Sequence, residues 1–327
     1  MRVALFGATG TIGRATVKAL LDHGNEVICP VRQRAGVDGK LNADSMRALL
    51  PGAELLVIDG SSVAALPPEF FGQQRIDAVI SCLASRTGFP ADAWDVDYRL
   101  NADILKLAMS ADVKHFVLLS AICVQKPLLG FQHAKLAFED ELAKSGMRYS
   151  IVRPTAFFKS LSGQLRRVQQ GKPYLLFGDG RLTACKPISD HDLALFLVSC
   201  LTDSSKHDRI LPVGGPGAAI TPIEQAEYLF ERLGKKARYQ RLPIAMMDFI
   251  IQSLRFGGYL APPLAAKAEL ARIGRYYATE SMLVWDSGLS RYDAEATPSF
   301  GTQTLFDYYD QLISGEQHLE LGDHAVF

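Results

Sequence analysis

Short apolar runs alternate with amphipathic, helix-length stretches through about the first 215 of 327 residues, and a glycine-rich turn follows the first run directly. Together these predict an α/β protein with a Rossmann-type doubly wound parallel sheet. From about Lys172 the chain becomes richer in Pro and Gly, which predicts a smaller C-terminal substrate-binding region. The expected division is a nucleotide-binding domain over 1–171 and a substrate-side region over 172–327, the latter interleaved with the last sheet strands.

The first strand is expected over Val3–Phe6. Gly7-Ala8-Thr9-Gly10-Thr11-Ile12-Gly13 follows it, and a helix is expected over Thr11–His23. In such a turn the first glycine permits a tight bend, the second lets backbone approach a pyrophosphate, and the third lets helix pack on strand. A phosphate then sits at the positive end of the helix. Gly7, Thr9, Gly10, Thr11, Ile12 and Gly13 are the expected pyrophosphate cradle. The second strand, Glu26–Val31, leads into Arg32 and Arg34 with no carboxylate nearby. An NAD site usually carries an acidic residue there, whereas guanidinium suits a 2′-phosphate. NADPH is therefore the expected cofactor, with Arg32 and Arg34 on its 2′-phosphate.

Strands are further expected over Leu55–Ile58, Ala78–Cys82, His115–Leu119 and Tyr149–Val152, and helices over Tyr98–Ser110, Gln132–Ser145 and Phe158–Gln170. Functional loops belong at the carboxyl ends of such strands. Asp59 then falls near the adenine, and Leu83, Ala84 and Ser85 fall along the cofactor's path.

Bulk properties exclude some classes. Lys plus Arg equals Asp plus Glu at 35 each, which argues against a nucleic-acid-binding surface. Five scattered cysteines without a Cys-x-x-Cys pair read as reduced, buried thiols, and no metal site is expected. No signal peptide and no apolar run of membrane-spanning length is visible, so a cytoplasmic protein is expected.

Ser120 ends the fifth strand and Lys135 lies in the following helix, as in the Ser and Tyr-x-x-x-Lys pattern of short-chain dehydrogenases/reductases. In that pattern the tyrosine donates a proton and the lysine holds the nicotinamide ribose. Here Phe131 stands in the tyrosine's place, and a phenylalanine cannot donate a proton. Two readings stay open: a protein that binds NADPH without chemistry, or reduction of a conjugated carbon–carbon double bond, where charge spreads into a π system without an oxyanion donor.

Several blocks closely resemble the divinyl chlorophyllide/protochlorophyllide 8-vinyl reductases of chlorophyll and bacteriochlorophyll synthesis. They are Ile80–Gly88, His115–Lys135, Ser150–Ser160, Phe177–Gly180, Cys185–Ser189 and Ile273–Ala278 through Asp286. The likeness extends from Val3 to about Leu305. That family is an atypical branch of the short-chain reductases, close to the NmrA-like and isoflavone-reductase-like proteins. The resemblance implies an NADPH-dependent reductase that converts the 8-vinyl group of a magnesium tetrapyrrole to ethyl. Alternatives are a non-catalytic NADP(H)-sensing regulator of the NmrA-like kind, or an ene-reductase acting on a smaller phenolic substrate.

On this reading Lys135 reaches the nicotinamide ribose and leads the proton-donor candidates, beside Ser120. His133 is a second candidate, as donor or as axial ligand of the pigment's magnesium. Pro154, Thr155, Ala156 and Phe157 line the carboxamide side of the nicotinamide. A flat apolar macrocycle needs an aromatic cleft, for which Phe157, Phe158, Tyr276, Tyr277 and the 246–259 stretch are candidates. Lys159 and Arg275 could pair with its propionate. The same apolar stretch could rest on a photosynthetic membrane surface.

Overall fold

The structure is a computed structural model that describes residues 1–33, 41–58, 66, 70–258 and 262–317. Its strands are β1 (Arg2–Phe6), β2 (Glu26–Arg32), β3 (Glu54–Ile58), β4 (Ala78–Ser81), β5 (His115–Leu119), β6 (Arg148–Pro154), β7 (Tyr174–Phe177), β8 (Arg209–Val213), β9 (Tyr239–Leu242), β10 (Val284–Asp286) and β11 (Arg291–Asp293). Seven of them form one parallel sheet in the order β3-β2-β1-β4-β5-β6-β8. Strand order reverses between β1 and β4, so their carboxyl ends open the crevice where a doubly wound sheet binds its ligand. The register Phe6↔Ser81 brings those two ends level.

The helices are α1 (Thr11–Asp22), α2 (Ala43–Leu49), α3 (Phe70–Gln73), α4 (Pro90–Ala93), α5 (Asn101–Ser110), α6 (Gly130–Lys144), α7 (Phe158–Leu161), α8 (Leu165–Gln169), α9 (Asp190–Ser199), α10 (Pro222–Arg232), α11 (Ile244–Gly258), α12 (Pro262–Thr279) and α13 (Leu305–Ser314). Side chains alternate across each strand. Val3 and Leu5 of β1 join one core with Val17, Leu20, Leu193 and Leu197 of α1 and α9. Ala4 and Phe6 join another with Ile104, Leu105, Phe138 and Leu142 of α5 and α6. The sheet is thus covered on both faces.

The C-terminal part has a further core, in which Phe158, Leu165, Tyr174, Leu176, Leu229, Phe230 and Tyr309 meet. It does not begin cleanly at 172. β8 pairs with β6 in the main sheet, and α9 packs on α1. The main sheet and the helices that cover it therefore draw on residues either side of 171.

Two expected helices differ. Phe158–Gln170 is two short helices, α7 and α8, because the Gln164 side chain turns to bond the backbone of Leu175 instead of continuing the helix face. Tyr98–Ser110 begins further back, with a π-helical segment over Trp94–Leu100 that runs into α5. The apolar 243–285 stretch is largely helical. Asp248 pairs with Arg275, and Gly257 lies against Leu264, so α11 and α12 run antiparallel.

Candidate active site

The glycine turn is built to admit a ligand. Gly7 has φ +78°, and a Cβ there would lie 2.6 Å from the Cys82 carbonyl oxygen. A Cβ on Gly13 would lie 2.1 Å from the Gly7 carbonyl oxygen, so helix and turn touch backbone to backbone. At Gly10 the nearest atom would be the Gly7 oxygen at 3.4 Å, and the residue is exposed. Gly10 is the N-cap of α1; it supplies no side-chain cap, and the first turn holds no acidic residue. Thr9 and Thr11 are half-buried beside it, while the Ile12 side chain enters the core and leaves only its backbone to the turn. An uncapped helix start with free N–H groups and no acidic residue in its own first turn fits a pyrophosphate.

Arg32 ends β2 and is exposed, and its side chain makes no hydrogen bond or ion pair among the described residues. Arg34 and Asp59 lie outside the described residues.

Contact of Gly7 with Cys82 brings the chain after β4 alongside the glycine turn. There Leu83 and Ser85 are half-buried and Ala84 is exposed. The Ser85 N–H points at Asp97, whose two carboxylate oxygens both lie 3.3 Å away. Lys135 Nζ lies 2.8 Å from Asp97 Oδ1; the carboxylate is wholly enclosed and the lysine side chain 11% exposed. Lys135 thus stands at the cofactor crevice, in contact with an aspartate that sequence reasoning missed. Its only signal was a polar pair, Asp97 and Asn101, one helical turn apart where a helix must pack.

The other α6 candidates are placed differently. His133 is exposed on the outer side of α6, away from the buried face that carries Phe131, Ala134 and Phe138. Phe131 is packed among Ile122, Cys123, Leu129, Tyr276 and Met282. Ser120 is buried and its hydroxyl donates to Glu139, which is ion-paired with Arg153. That commits the hydroxyl to a structural pair instead of the cleft. Cys123 has its Sγ 4.0 Å from the Tyr277 hydroxyl; burial pushes the thiol up, with Gln132, Tyr277 and Lys135 opposing.

After β6, Thr155 is fixed by its N–H to the Val213 carbonyl at 3.0 Å and by its hydroxyl to the Lys186 carbonyl. Pro154 and Thr155 are buried, whereas Ala156 and Phe157 are half-buried and run beside Ile188. Lys159, expected at the pigment's propionate, instead donates from Nζ to Thr11 Oγ1 at 3.2 Å. Its short helix α7 starts at Phe158 and carries the lysine back over α1. Asp190 at the start of α9 faces the same spot. Burial raises its carboxyl, while Lys159 and Arg14 pull it down. A cationic pair therefore borders the start of α1.

Among the expected substrate contacts, Phe158 is 3% exposed inside the C-terminal core, so its ring is removed from any open surface. Tyr276 is buried too. Its hydroxyl donates to the Cys123 and Lys126 carbonyls at 2.9 and 3.1 Å and so holds the loop after β5. Tyr277 is exposed beside that loop. Arg275 is ion-paired with Asp248 and half exposed. Of Phe158, Lys159, Arg275, Tyr276 and Tyr277, Tyr277 is the one exposed aromatic, and in the 246–259 stretch Phe249 and Phe256 are exposed as well.

The NAD(P)H-binding family model matches residues 7–204. The divinyl chlorophyllide a 8-vinyl-reductase, chloroplastic, of Oryza sativa subsp. indica is 47% identical over 99% of this chain and 82% of its own length. Its counterpart in Arabidopsis thaliana is 45% identical over 99% and 79%. Among solved structures, the binary complex of leucoanthocyanidin reductase with NADPH from Vitis vinifera superposes with a TM-score of 0.65 at 15% identity, covering 96% of this chain and 100% of that one.

Proposed function

This chain belongs to the divinyl chlorophyllide a 8-vinyl-reductase family, and from that premise we propose that it reduces the 8-vinyl group of a divinyl chlorophyllide or protochlorophyllide to ethyl, with NADPH as reductant. The observation that carries the reading is the pairing of a packed Phe131 with a retained Lys135 at the cofactor crevice. Ketone reduction needs a proton donor beside a developing alkoxide. A conjugated vinyl group spreads its charge through the macrocycle instead.

NADPH, when bound, supplies the hydride. The chain's residues do the rest. Gly7 to Gly13 and the start of α1 would hold the pyrophosphate, assisted by Lys159, and Arg32 would hold the 2′-phosphate. Pro154 to Phe157 would border the carboxamide. Lys135 would hold the ribose and offer a proton to the substrate carbon. Tyr277 would face the macrocycle.

The test is to incubate purified protein with NADPH and divinyl chlorophyllide. Reduction shifts the Soret band to that of the monovinyl pigment as NADPH absorbance falls. Bound pigment with an unshifted band and constant NADPH favours a sensor of the NmrA-like kind and ends this reading. Turnover of a small phenolic alkene without pigment binding also ends it.

The reading extends to a lipid surface. No helix among the described residues is long and apolar enough to cross a membrane. On α11, Met246, Phe249, Ile250 and Phe256 are exposed, the two phenylalanines by 74% and 76%. Helix geometry gathers these four within an arc of about 120°. Arg241 is exposed in the strand just before α11, and Arg255 is exposed on the side of the helix away from the stripe. An exposed apolar stripe suits a lipid surface. Flotation with anionic liposomes should carry the protein upward, and Phe249→Ser with Phe256→Ser should abolish it. Protein left at the bottom of the gradient ends this extension.

A further inference from the structure

Between α4 and α5 the chain winds as a π-helix over Trp94–Leu100. Such turns re-aim side chains and gather at functional sites. The residue turned inward here is Asp97. Around it runs one buried network. Asn101 Nδ2 donates to the Val96 and Asp97 carbonyls at 3.1 and 3.2 Å, closing the widened turn. Ser81 Oγ donates to Asn101 Oδ1 at 2.6 Å and accepts from Leu83 N–H at 3.4 Å. Asp97 itself accepts from Ser85 N–H and pairs with Lys135. The end of β4, the π-helical turn and α6 are thereby tied together at the cofactor crevice.

Stability does not account for this pair. Burying two charges is expensive, and apolar replacements of a buried ion pair are often neutral or stabilising. Conformational restraint does account for it. A lysine has a long stem with many rotamers, and ordering it only when ligands bind would weaken binding.

We propose that Asp97 is a positioning residue for the reduction: its carboxylate holds the Lys135 ammonium beside the Ser85 backbone, so that the lysine meets cofactor and substrate from one fixed place. Asp97 touches neither, because its side chain has no exposed surface. The proposal rests on the reading above that Lys135 serves the nicotinamide ribose.

Asp97→Asn keeps the shape and the acceptor for Ser85 and removes the charge. NADPH affinity is read by nicotinamide fluorescence on pigment-free protein, in the parent and in a Lys135→Gln background. Asp97→Asn should weaken NADPH about fivefold in the parent and leave it unchanged in the Lys135→Gln background, the signature of two residues acting as one. Turnover should fall about tenfold while pigment KM stays within about twofold. Equal losses in both backgrounds, or no loss in either, overturn the proposal.

Lys135→Gln strands a buried carboxylate, so thermal melts accompany the cycle. Asp97→Asn should restore the midpoint that Lys135→Gln lowers, and Lys135→Arg, which keeps the pair, should melt near the parent. Should the parent leave the vinyl group untouched while the cycle shows coupling, the substrate reading falls and the hold of Asp97 on Lys135 stands. Should the parent reduce pigment while the cycle is additive, Asp97 alone loses its role.

Discussion

Lys126 Nζ lies 2.7 Å from Glu280 Oε2, joining the loop after β5 to the residue that follows α12. Tyr292 donates its hydroxyl to the same carboxylate oxygen at 2.7 Å, and the lysine sits 4.7 Å over the Trp285 ring. Gln125 Oε1 accepts from Trp285 N–H at 2.9 Å one residue earlier. The loop that carries Cys123 toward Tyr277 is therefore clamped by the C-terminal segment.

Glu280→Gln should loosen that clamp. The carboxylate side chain is 13% exposed and the lysine 35%, so solvent screens the pair only in part. A loss of about 1–2 kcal/mol is expected, read as a lower urea midpoint. Tyr292→Phe removes one hydrogen bond and should cost about 1 kcal/mol. NADPH affinity should hold in both variants, because neither side chain reaches the glycine turn.

Gly10 and Gly13 should fail in opposite ways. A methyl on Gly13 would overlap the Gly7 carbonyl, so Gly13→Ala should lower the melting midpoint and lose NADPH together. Gly10 has φ −74°, an ordinary value for alanine, and an added Cβ would meet nothing closer than the Gly7 oxygen at 3.4 Å. Gly10→Ala should melt like the parent yet bind NADPH about a hundredfold more weakly, since its methyl stands where backbone must meet phosphate. Equal melting losses in both variants would contradict the cradle.

The strands and the glycine turn were legible because each apolar run is bounded by turn residues and its partner lies one crossover away. Asp97 was not, because a π-helical turn breaks the 3.6-residue period on which helix reading depends. Lys159 was legible as a cation but not as a neighbour of Thr11, since that depends on α7 ending early. Phe158 resembled a cleft aromatic beside Phe157, yet a helix start turns successive side chains apart, and one of the two enters the core.

Lys159→Met keeps an apolar stem and removes the charge that borders the start of α1. NADPH binding should weaken about tenfold, or about 1.4 kcal/mol, with a shallower dependence of affinity on salt. Pigment KM should not change. A raised pigment KM with unaltered NADPH affinity would return Lys159 to the propionate.

Acid sensitivity should centre on His115, the first residue of β5. Its Nε2 lies 3.0 Å from Ser150 Oγ, and that hydroxyl already donates to the Lys206 carbonyl at 2.8 Å. Nε2 must therefore carry the hydrogen, which leaves Nδ1 bare, buried and without a partner among the described residues. Protonation would place an unpaired charge there. Burial, then His207 and Arg148, lowers the imidazole from 6.5 to about 4, with Asp208 opposing. The folded chain thus refuses a proton that the unfolded chain accepts below about 6.5. The stability tied to the neutral ring is complete above that pH and is lost as pH falls toward 4, by up to about 3 kcal/mol. His115→Gln retains a donor for Ser150 and cannot titrate. Its melting midpoint should fall less than the parent's between pH 7 and 4.5, and identical profiles would assign the acid sensitivity to another group.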